Sequence, residues 1–376
     1  MSEILNLGFK DFTKRLDALS RDAKSPLVGT FELTPRCNLK CKMCYVRLEA
    51  SEMSKHGREL TAEEWKSLGD QAVAAGTLFL QITGGEPLLR KDFFEIYDYL
   101  CDIGLILALN TNATLITPEI AERLAKRPPH LVSVTLYGGS PDTYENLCSS
   151  RAGYEKTISG MENLMAVGIR PRVMSTIVRD NVDDIVEVLR FAIDHDLKFI
   201  PSTVIFKGRE ESAGDAESAR LELEEKDYLD RKLDAAYELL IPEEWAKSQE
   251  TLREMRVFPP DDLPKVSQPT RPGFPCAAGN SKYWITWKGE MKPCAVAPFP
   301  VTYPLKDGFL EAWQNIVKLC APIAVPDECV GCKYRKYCLL CLAALASETG
   351  EYGKVTAYAC EEARRRFKLF GPASEQ

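Results

Sequence analysis

The chain has 376 residues, 45% of them hydrophobic and 27% charged, with a formal net charge of −7. That length allows two or three domains around a large core, and the acidic balance argues against a duplex-binding face, so no nucleic-acid partner is expected. No run of about 18 apolar residues is present, which excludes a membrane-spanning helix by this criterion. The amino-terminal residues lack a basic segment followed by an apolar core, so no secretory signal is read and a cytoplasmic location is expected. In that compartment 13 cysteines point to metal ligation rather than to disulfides.

Residues 9–22 have the spacing of a short amphipathic helix. Val28–Leu33 reads as a strand that runs straight into a cysteine-bearing loop. Thr61-Ala-Glu-Glu64 is a capping box that opens a helix to about Ala75. Residues 77–82 are an apolar run of strand length, closed by Thr83-Gly-Gly-Glu-Pro87. A helix over 93–103, a strand over 105–109 and a helix opened by Thr117-Pro118 follow. Then come strands over 130–136, 172–178 and 199–204, with helices over 155–167 and 183–195. Strand and helix thus alternate about six times, the pattern of parallel strands with crossover helices. The expected fold class is α/β, a partial (β/α)6 TIM-like barrel with a smaller cysteine-rich C-terminal domain. The cysteines, Gly84–Glu86, Asn110 and Tyr137 all follow strands, where barrels of this kind carry their sites.

Residues 207–226 turn to charged and small residues and read as a surface connection or lid, followed by a helix to about Leu240. Residues 257–275 hold six prolines and read as a linker. The region beyond it carries eight of the 13 cysteines. The expected division is a helical extension over 1–24, a barrel over 25–230, a helix and linker over 231–268, a cysteine-rich domain over 269–366 and a tail over 367–376.

Cys37, Cys41 and Cys44 form a C-x3-C-x2-C run on one short loop. Three thiolates so placed can hold three corners of a cubane [4Fe-4S] cluster, which leaves one iron without a protein ligand. An open metal position marks catalysis rather than structure. The alternative, a zinc ion, wants four ligands, and no partner cysteine lies near Cys44.

The triad followed by Gly84-Gly85-Glu86-Pro87 at the next strand end resembles the radical S-adenosylmethionine (radical SAM) superfamily over residues 25–230. The resemblance implies that the methionine part of SAM chelates the open iron. The reduced cluster then cleaves SAM to a 5′-deoxyadenosyl radical that takes hydrogen from substrate. It makes Cys37, Cys41 and Cys44 the catalytic cluster ligands. Gly84, Gly85, Glu86 and Pro87 become the turn that meets the SAM amine. Thr135 matches a ribose-binding hydroxyl. Asn110 and Asn112 point toward the cofactor, or cap turns. Met43 and Tyr45 flank the third cysteine, Met43 being placed to pack on the adenine. Ser175 is a further candidate, or a strand serine. The family more often shows Ser-Leu-Asp-Gly where this chain has Thr135-Leu-Tyr-Gly138, so Tyr137 replaces an acidic residue. An external one-electron reductant of flavodoxin or ferredoxin type is implied.

In the second region, Cys276 and Cys294 flank Gly289, and Cys329-x2-Cys332-x5-Cys338-x2-Cys341 is followed by Cys360. This resembles the SPASM extension of radical SAM maturases, with the last gap one residue shorter than usual. The resemblance implies two auxiliary [4Fe-4S] clusters. Cys329, Cys332, Cys338 and Cys360 would hold one. Cys276, Cys294 and Cys341 would hold the other, with Cys320 as an outside candidate for its remaining position. A zinc ribbon on Cys329/Cys332 and Cys338/Cys341 is the alternative. Cys101, Cys148 and Cys320 read as buried free thiols. Tyr283, Trp284 and Trp287 read as packing around a hairpin at Lys288-Gly289.

Paired core and auxiliary clusters imply oxidation or bond formation on a peptide or small protein. The expected activity is crosslinking, epimerisation or oxidation in ribosomal peptide maturation. Ala295, after Cys294, stands where sulfatase maturases keep an aspartate. About 25 residues precede the first strand, too few for a leader-binding domain, so a separate leader-peptide-binding protein or a leaderless substrate is expected. The alternatives are oxidation of a tetrapyrrole or quinone-type cofactor precursor, anaerobic sulfatase-type maturation and, outside enzymes, an iron–sulfur electron carrier.

Overall fold

The computed structural model describes residues 9–246, 273–338 and 341–370. Most of the proline-rich stretch and the end of the expected tail lie outside the described residues. The first half alternates strand and helix as the apolar runs require. Helix α1 (Phe9–Ala23) precedes β1 (Val28–Glu32), α2 (Ala62–Ala74), β2 (Phe79–Thr83), α3 (Phe93–Asp102) and β3 (Ile106–Thr111). Then come α4 (Pro118–Lys126), β4 (Leu131–Thr135), α5 (Pro141–Cys148), α6 (Gly153–Ala166), β5 (Arg172–Thr176), α7 (Ile185–Asp194), β6 (Phe199–Ser202) and α8 (Leu223–Leu240).

Strands β1 to β6 pair in parallel and in sequence order, from Val28 opposite Phe79 to Val173 opposite Phe199. Parallel sheets need both faces covered, and apolar side chains supply the cover. Phe31, Leu80, Ile82, Leu109, Val132, Val134 and Val173 are buried. Trp65 of α2 is fully buried against Phe31, with ring centroids 4.9 Å apart. The expected capping box opens α2: Glu64 N donates to Thr61 Oγ1 and Thr61 N donates to Glu64 Oε2. Helix α5 was not read from the sequence. Ser140 caps it, accepting from Thr143 N at 3.2 Å, and Pro141 fills its first turn.

The second region continues the same sheet. β7 (Trp284–Ile285) pairs in parallel with β1 and antiparallel with β8 (Met291–Lys292), giving an eight-stranded order β6-β5-β4-β3-β2-β1-β7-β8. The turn between β7 and β8 is the expected hairpin, with Gly289 at φ +89°. Thr30 N donates to Tyr283 O and Tyr283 N donates to Val28 O, so the β1 edge is not left unpaired. Helix α9 (Phe309–Cys320) closes over this edge: Phe309 N donates to Gln71 Oε1 and Trp313 Nε1 to Lys24 O. Helices α10 (Leu342–Thr349) and α11 (Ala357–Phe370) end the described chain. Arg365 of α11 bridges Asp227 and Asp230 of α8, which ties the last helix to the barrel. No helix among the described residues is long and apolar enough to cross a membrane.

Candidate active site

The C-terminal ends of all six barrel strands open on one cavity of about 240 Å³. The loop after β1 contributes Cys37, Cys41, Met43, Cys44 and Tyr45 to its wall. Gly84 and Gly85 follow β2, Asn110–Asn112 end β3, Thr135 and Tyr137 end β4, Thr176 ends β5 and Val204–Phe206 follow β6.

Three backbone clasps fix the cysteine loop. Gly85 N donates to Thr34 O and Glu86 N to Arg36 O, at 2.7 and 2.8 Å. Lys40 N donates to Cys148 O and Lys42 N to Leu147 O, at the end of α5. Asp215 N donates to Lys42 O and Ala213 N to Arg47 O. A Cβ on Gly84 would sit 2.5 Å from Thr34 O, and one on Gly85 would sit 2.3 Å from Arg36 O. The close approach that demands glycine here is to the cysteine loop itself. The segment after β6, read from the sequence as a surface connection or lid, packs on that loop.

Donors already face the sulfurs. Leu39 N donates to Cys37 Sγ at 3.4 Å, Asn112 Nδ2 to Cys37 Sγ at 3.6 Å and Arg47 N to Cys44 Sγ at 3.2 Å. Such donors stabilise thiolates once a metal has displaced the protons. In the metal-free protein, burial dominates and pushes Cys37 up to about 12 and Cys44 upward. Cys41 is raised well above the usual thiol range, first by its contact with Cys148 and then by burial.

The remaining sequence candidates fall into two groups. Met43, Tyr45, Asn110, Asn112 and Thr135 line the cavity with the triad. Tyr45 packs edge-on against Phe206 at 5.0 Å. Asn110 Oδ1 is buried with no hydrogen-bond partner among the described residues, so the wall carries an unused acceptor. Glu86, Pro87 and Ser175 stand outside the lining. Glu86 is fully buried, accepting from Thr111 Oγ1, Asn112 N and Leu88 N. Burial pushes its carboxyl up to about 7, against the pull of the Asn112 and Leu88 amides. It fastens the glycine turn to β3. Pro87, itself buried, starts a turn over Pro87–Leu89, and Ser175 Oγ is buried without a partner among the described residues. Sequence reasoning missed Thr83, Thr111, Thr176 and Val204–Phe206. Their signal was position alone, at strand ends.

Burial raises Cys294, Cys320, Cys329, Cys338 and Cys341 too, and the charges that act on them sort the C-terminal cysteines into two sets. Cys294 is influenced by Cys341 and Cys276, Cys320 by Cys294 and Cys276, and Cys341 by Cys276. Cys329 is influenced by Cys338, Cys360 and Cys332. A Cβ on Gly279 would lie 2.9 Å from Cys320 Sγ, so Cys320 abuts the loop that carries Cys276. Among the described residues no three metal-ligating side chains converge as a single ion requires. A second cavity of about 100 Å³ holds Cys338 and Cys341, one from each set, and shares Val204 and Ile205 with the first.

Residues 31–192 match the model of the radical SAM superfamily. The matched residues, from the end of β1 into α7, form a radical SAM domain, and the chain is an enzyme. The AdoMet-dependent heme synthase of Methanosarcina barkeri is 28% identical over 347 residues, which span 89% of this chain and 96% of that relative. The mycofactocin maturase MftC of Mycolicibacterium smegmatis is 29% identical over 178 residues, 47% of this chain and 44% of the relative. The solved structure of native anSMEcpe with bound AdoMet superposes with a TM-score of 0.67 at 18% identity, covering 91% of this chain and 96% of that one. That likeness is one of fold.

Proposed function

We propose that Cys37, Cys41 and Cys44 hold a [4Fe-4S] cluster against which SAM binds in the strand-end cavity, and that the enzyme oxidises a side chain of a tetrapyrrole. The donor set fits the group: three cysteines on one loop wall a single cavity, with amide donors aimed at two of the sulfurs. When bound, the cluster and SAM supply reductive cleavage of the sulfonium and, from it, hydrogen-atom abstraction.

The chain's own residues bind and orient. Asn112 holds the loop through Cys37 and Asn38. Asn110 Oδ1 offers its free acceptor to an amine or hydroxyl of the cofactor. Thr135 and Thr176 add hydroxyls, while Met43, Tyr45 and Phe206 form an apolar wall that excludes water. Cys329, Cys332, Cys338 and Cys360 would hold one auxiliary cluster, and Cys276, Cys294 and Cys341, with Cys320, the other. These would act as electron acceptors beside the substrate. The reductant is an external one-electron donor of flavodoxin or ferredoxin type.

The single observation that carries the substrate reading is the match to a heme synthase along nearly the full length of both chains. A peptide substrate, ranked first from sequence, becomes the second reading; it is supported by similarity to the maturase MftC over about half of each chain. A separate leader-peptide-binding protein belongs to that second reading. The test uses anaerobically reconstituted protein with dithionite, SAM and an iron porphyrin that carries propionate side chains. Porphyrin-dependent release of 5′-deoxyadenosine with a change in porphyrin mass is expected. Release that ignores the porphyrin but responds to a co-encoded peptide would reverse the order of the two readings.

A further inference from the structure

Cys148 ends α5 and is fully buried, and its Sγ lies 3.5 Å from that of Cys41. The contact is built in. Lys40 N donates to Cys148 O at 2.8 Å and Lys42 N to Leu147 O at 3.0 Å, so the residues on both sides of Cys41 are bonded to the end of α5. A second side chain shares the cavity wall with that sulfur. Tyr137 follows the end of β4, in that wall, where the resembling family more often shows an acidic residue. Its phenol is held in an aromatic stack, edge-on to Tyr144 of α5 at 6.2 Å.

We infer that Cys148 and Tyr137 are positioning residues that donate hydrogen bonds to the Cys41 thiolate and so set the reduction potential of the cluster it ligates. The inference rests on the reading of Cys41 as a cluster ligand. Ligation requires Cys41 to be deprotonated. At 3.5 Å the only proton left between the two sulfurs is then the one on Cys148, which becomes the donor. A donor to a ligand sulfur stabilises the more negative, reduced cluster, and hydrogen bonds to sulfur are a principal lever on such potentials. An acidic side chain at position 137 would do the reverse and place negative charge beside the thiolate. The exchange to tyrosine turns a charge into a donor. No step in the proposed reaction uses either group, so their effect is on the ease of reduction.

The experiment is a potentiometric titration of the reconstituted full chain, following the electron paramagnetic resonance signal whose shape changes on adding SAM. Cys148→Ala is expected to lower the reduced-to-oxidised ratio at a fixed applied potential by about tenfold, a midpoint shift of about 59 mV for one electron. Cys148→Ser, which keeps a donor, is expected at or above the wild-type midpoint. An unmoved midpoint in Cys148→Ala, or equal falls in the alanine and serine variants, overturns the inference. Should Cys148→Ala fail to take up iron, Tyr137→Phe decides. It removes one hydroxyl and little volume, so a lowered midpoint supports the inference and an unchanged one overturns it. A wild-type protein with no SAM-responsive cluster would overturn the ligand reading as well, which separates the two failures.

Discussion

Arg209 grips Glu32 with both terminal guanidinium nitrogens, each at 2.7 Å, across 177 residues of sequence. Glu32 ends β1, just before the cysteine loop, and has no solvent exposure. Trp284 Nε1 of β7 donates to the same carboxylate at 2.8 Å. One buried anion therefore joins the first strand, the segment after β6 and the C-terminal hairpin. Removing one partner of such a pair strands a buried charge and costs about 3–5 kcal/mol, whereas replacing both with apolar groups costs far less. We expect Arg209→Ala to lower the urea midpoint of the metal-free protein by the equivalent of that loss. The double change Glu32→Leu with Arg209→Met should recover most of it. A double variant that loses as much as Arg209→Ala, or more, would show that the stranded Glu32 charge is not what the single change costs.

Glu86 gives the metal-free protein a pH dependence with a definite sign. Burial raises its carboxyl from an ordinary value of 4.5 to about 7. Between those values the folded state holds a proton that the unfolded chain has released. Stability from this group is therefore complete below about pH 4.5 and falls as pH rises to about 7, on the order of 3 kcal/mol in all. Glu86→Gln cannot ionise, so its offset from wild type should change across that window and stay constant above it. Thermal melts of both proteins at steps from pH 4.5 to 8 measure the difference. Parallel curves would mean that Glu86 titrates at its ordinary value.

Local signals made most of the barrel legible. Short apolar runs gave the six strands, and the Thr61–Glu64 box gave the start of α2, because these depend on residues close in sequence. The triad was legible because its three cysteines sit on one loop. Helix α5 carried a readable signal in Ser140-Pro141, and passing over it hid Cys148, whose contact with Cys41 spans 107 residues. The Lys288-Gly289 hairpin was legible locally, but nothing local announces that its first strand, the two-residue β7, pairs with β1. The Arg209–Glu32 pair was beyond sequence reading for the same reason: charge alone does not say which carboxylate a given arginine will meet. Glu86 had the right loop but the wrong direction, since its acceptors are consumed by Thr111 and Asn112.

The segment after β6 should prove as important to the triad as the cysteine loop's own residues. A Cβ on Gly214 would lie 2.2 Å from Cys44 O and 2.7 Å from Cys44 N, both backbone atoms that cannot rotate away. Gly214→Ala must therefore lift this segment off the loop, breaking the bonds from Ala213 and Asp215. Gly208 is the control, because a Cβ there meets Ser212 Cβ at an ordinary 3.5 Å. If the reconstituted wild type takes up the three proposed cubanes, about twelve irons per chain are expected, and Gly214→Ala should fall toward about eight while Gly208→Ala stays near twelve. Full iron in Gly214→Ala would show that the segment is not needed to hold the loop.

The two halves of the proposed machinery should separate by mutation. Cys41→Ala removes one of three thiolates from the cavity wall, and SAM cleavage should be lost outright. Cys338 lies instead in the second cavity, beyond the wall formed by Val204 and Ile205. Its removal leaves the first cavity's lining unchanged. Cys338→Ala should still release 5′-deoxyadenosine, yet form no product, because substrate oxidation needs an acceptor for the second electron. Each variant should keep about eight irons, so iron content alone does not tell them apart. The ratio of 5′-deoxyadenosine to product does: near one in wild type, and rising without limit in Cys338→Ala. A Cys338→Ala protein that turns over like wild type would remove that cysteine set from the reaction and leave the chemistry to the barrel.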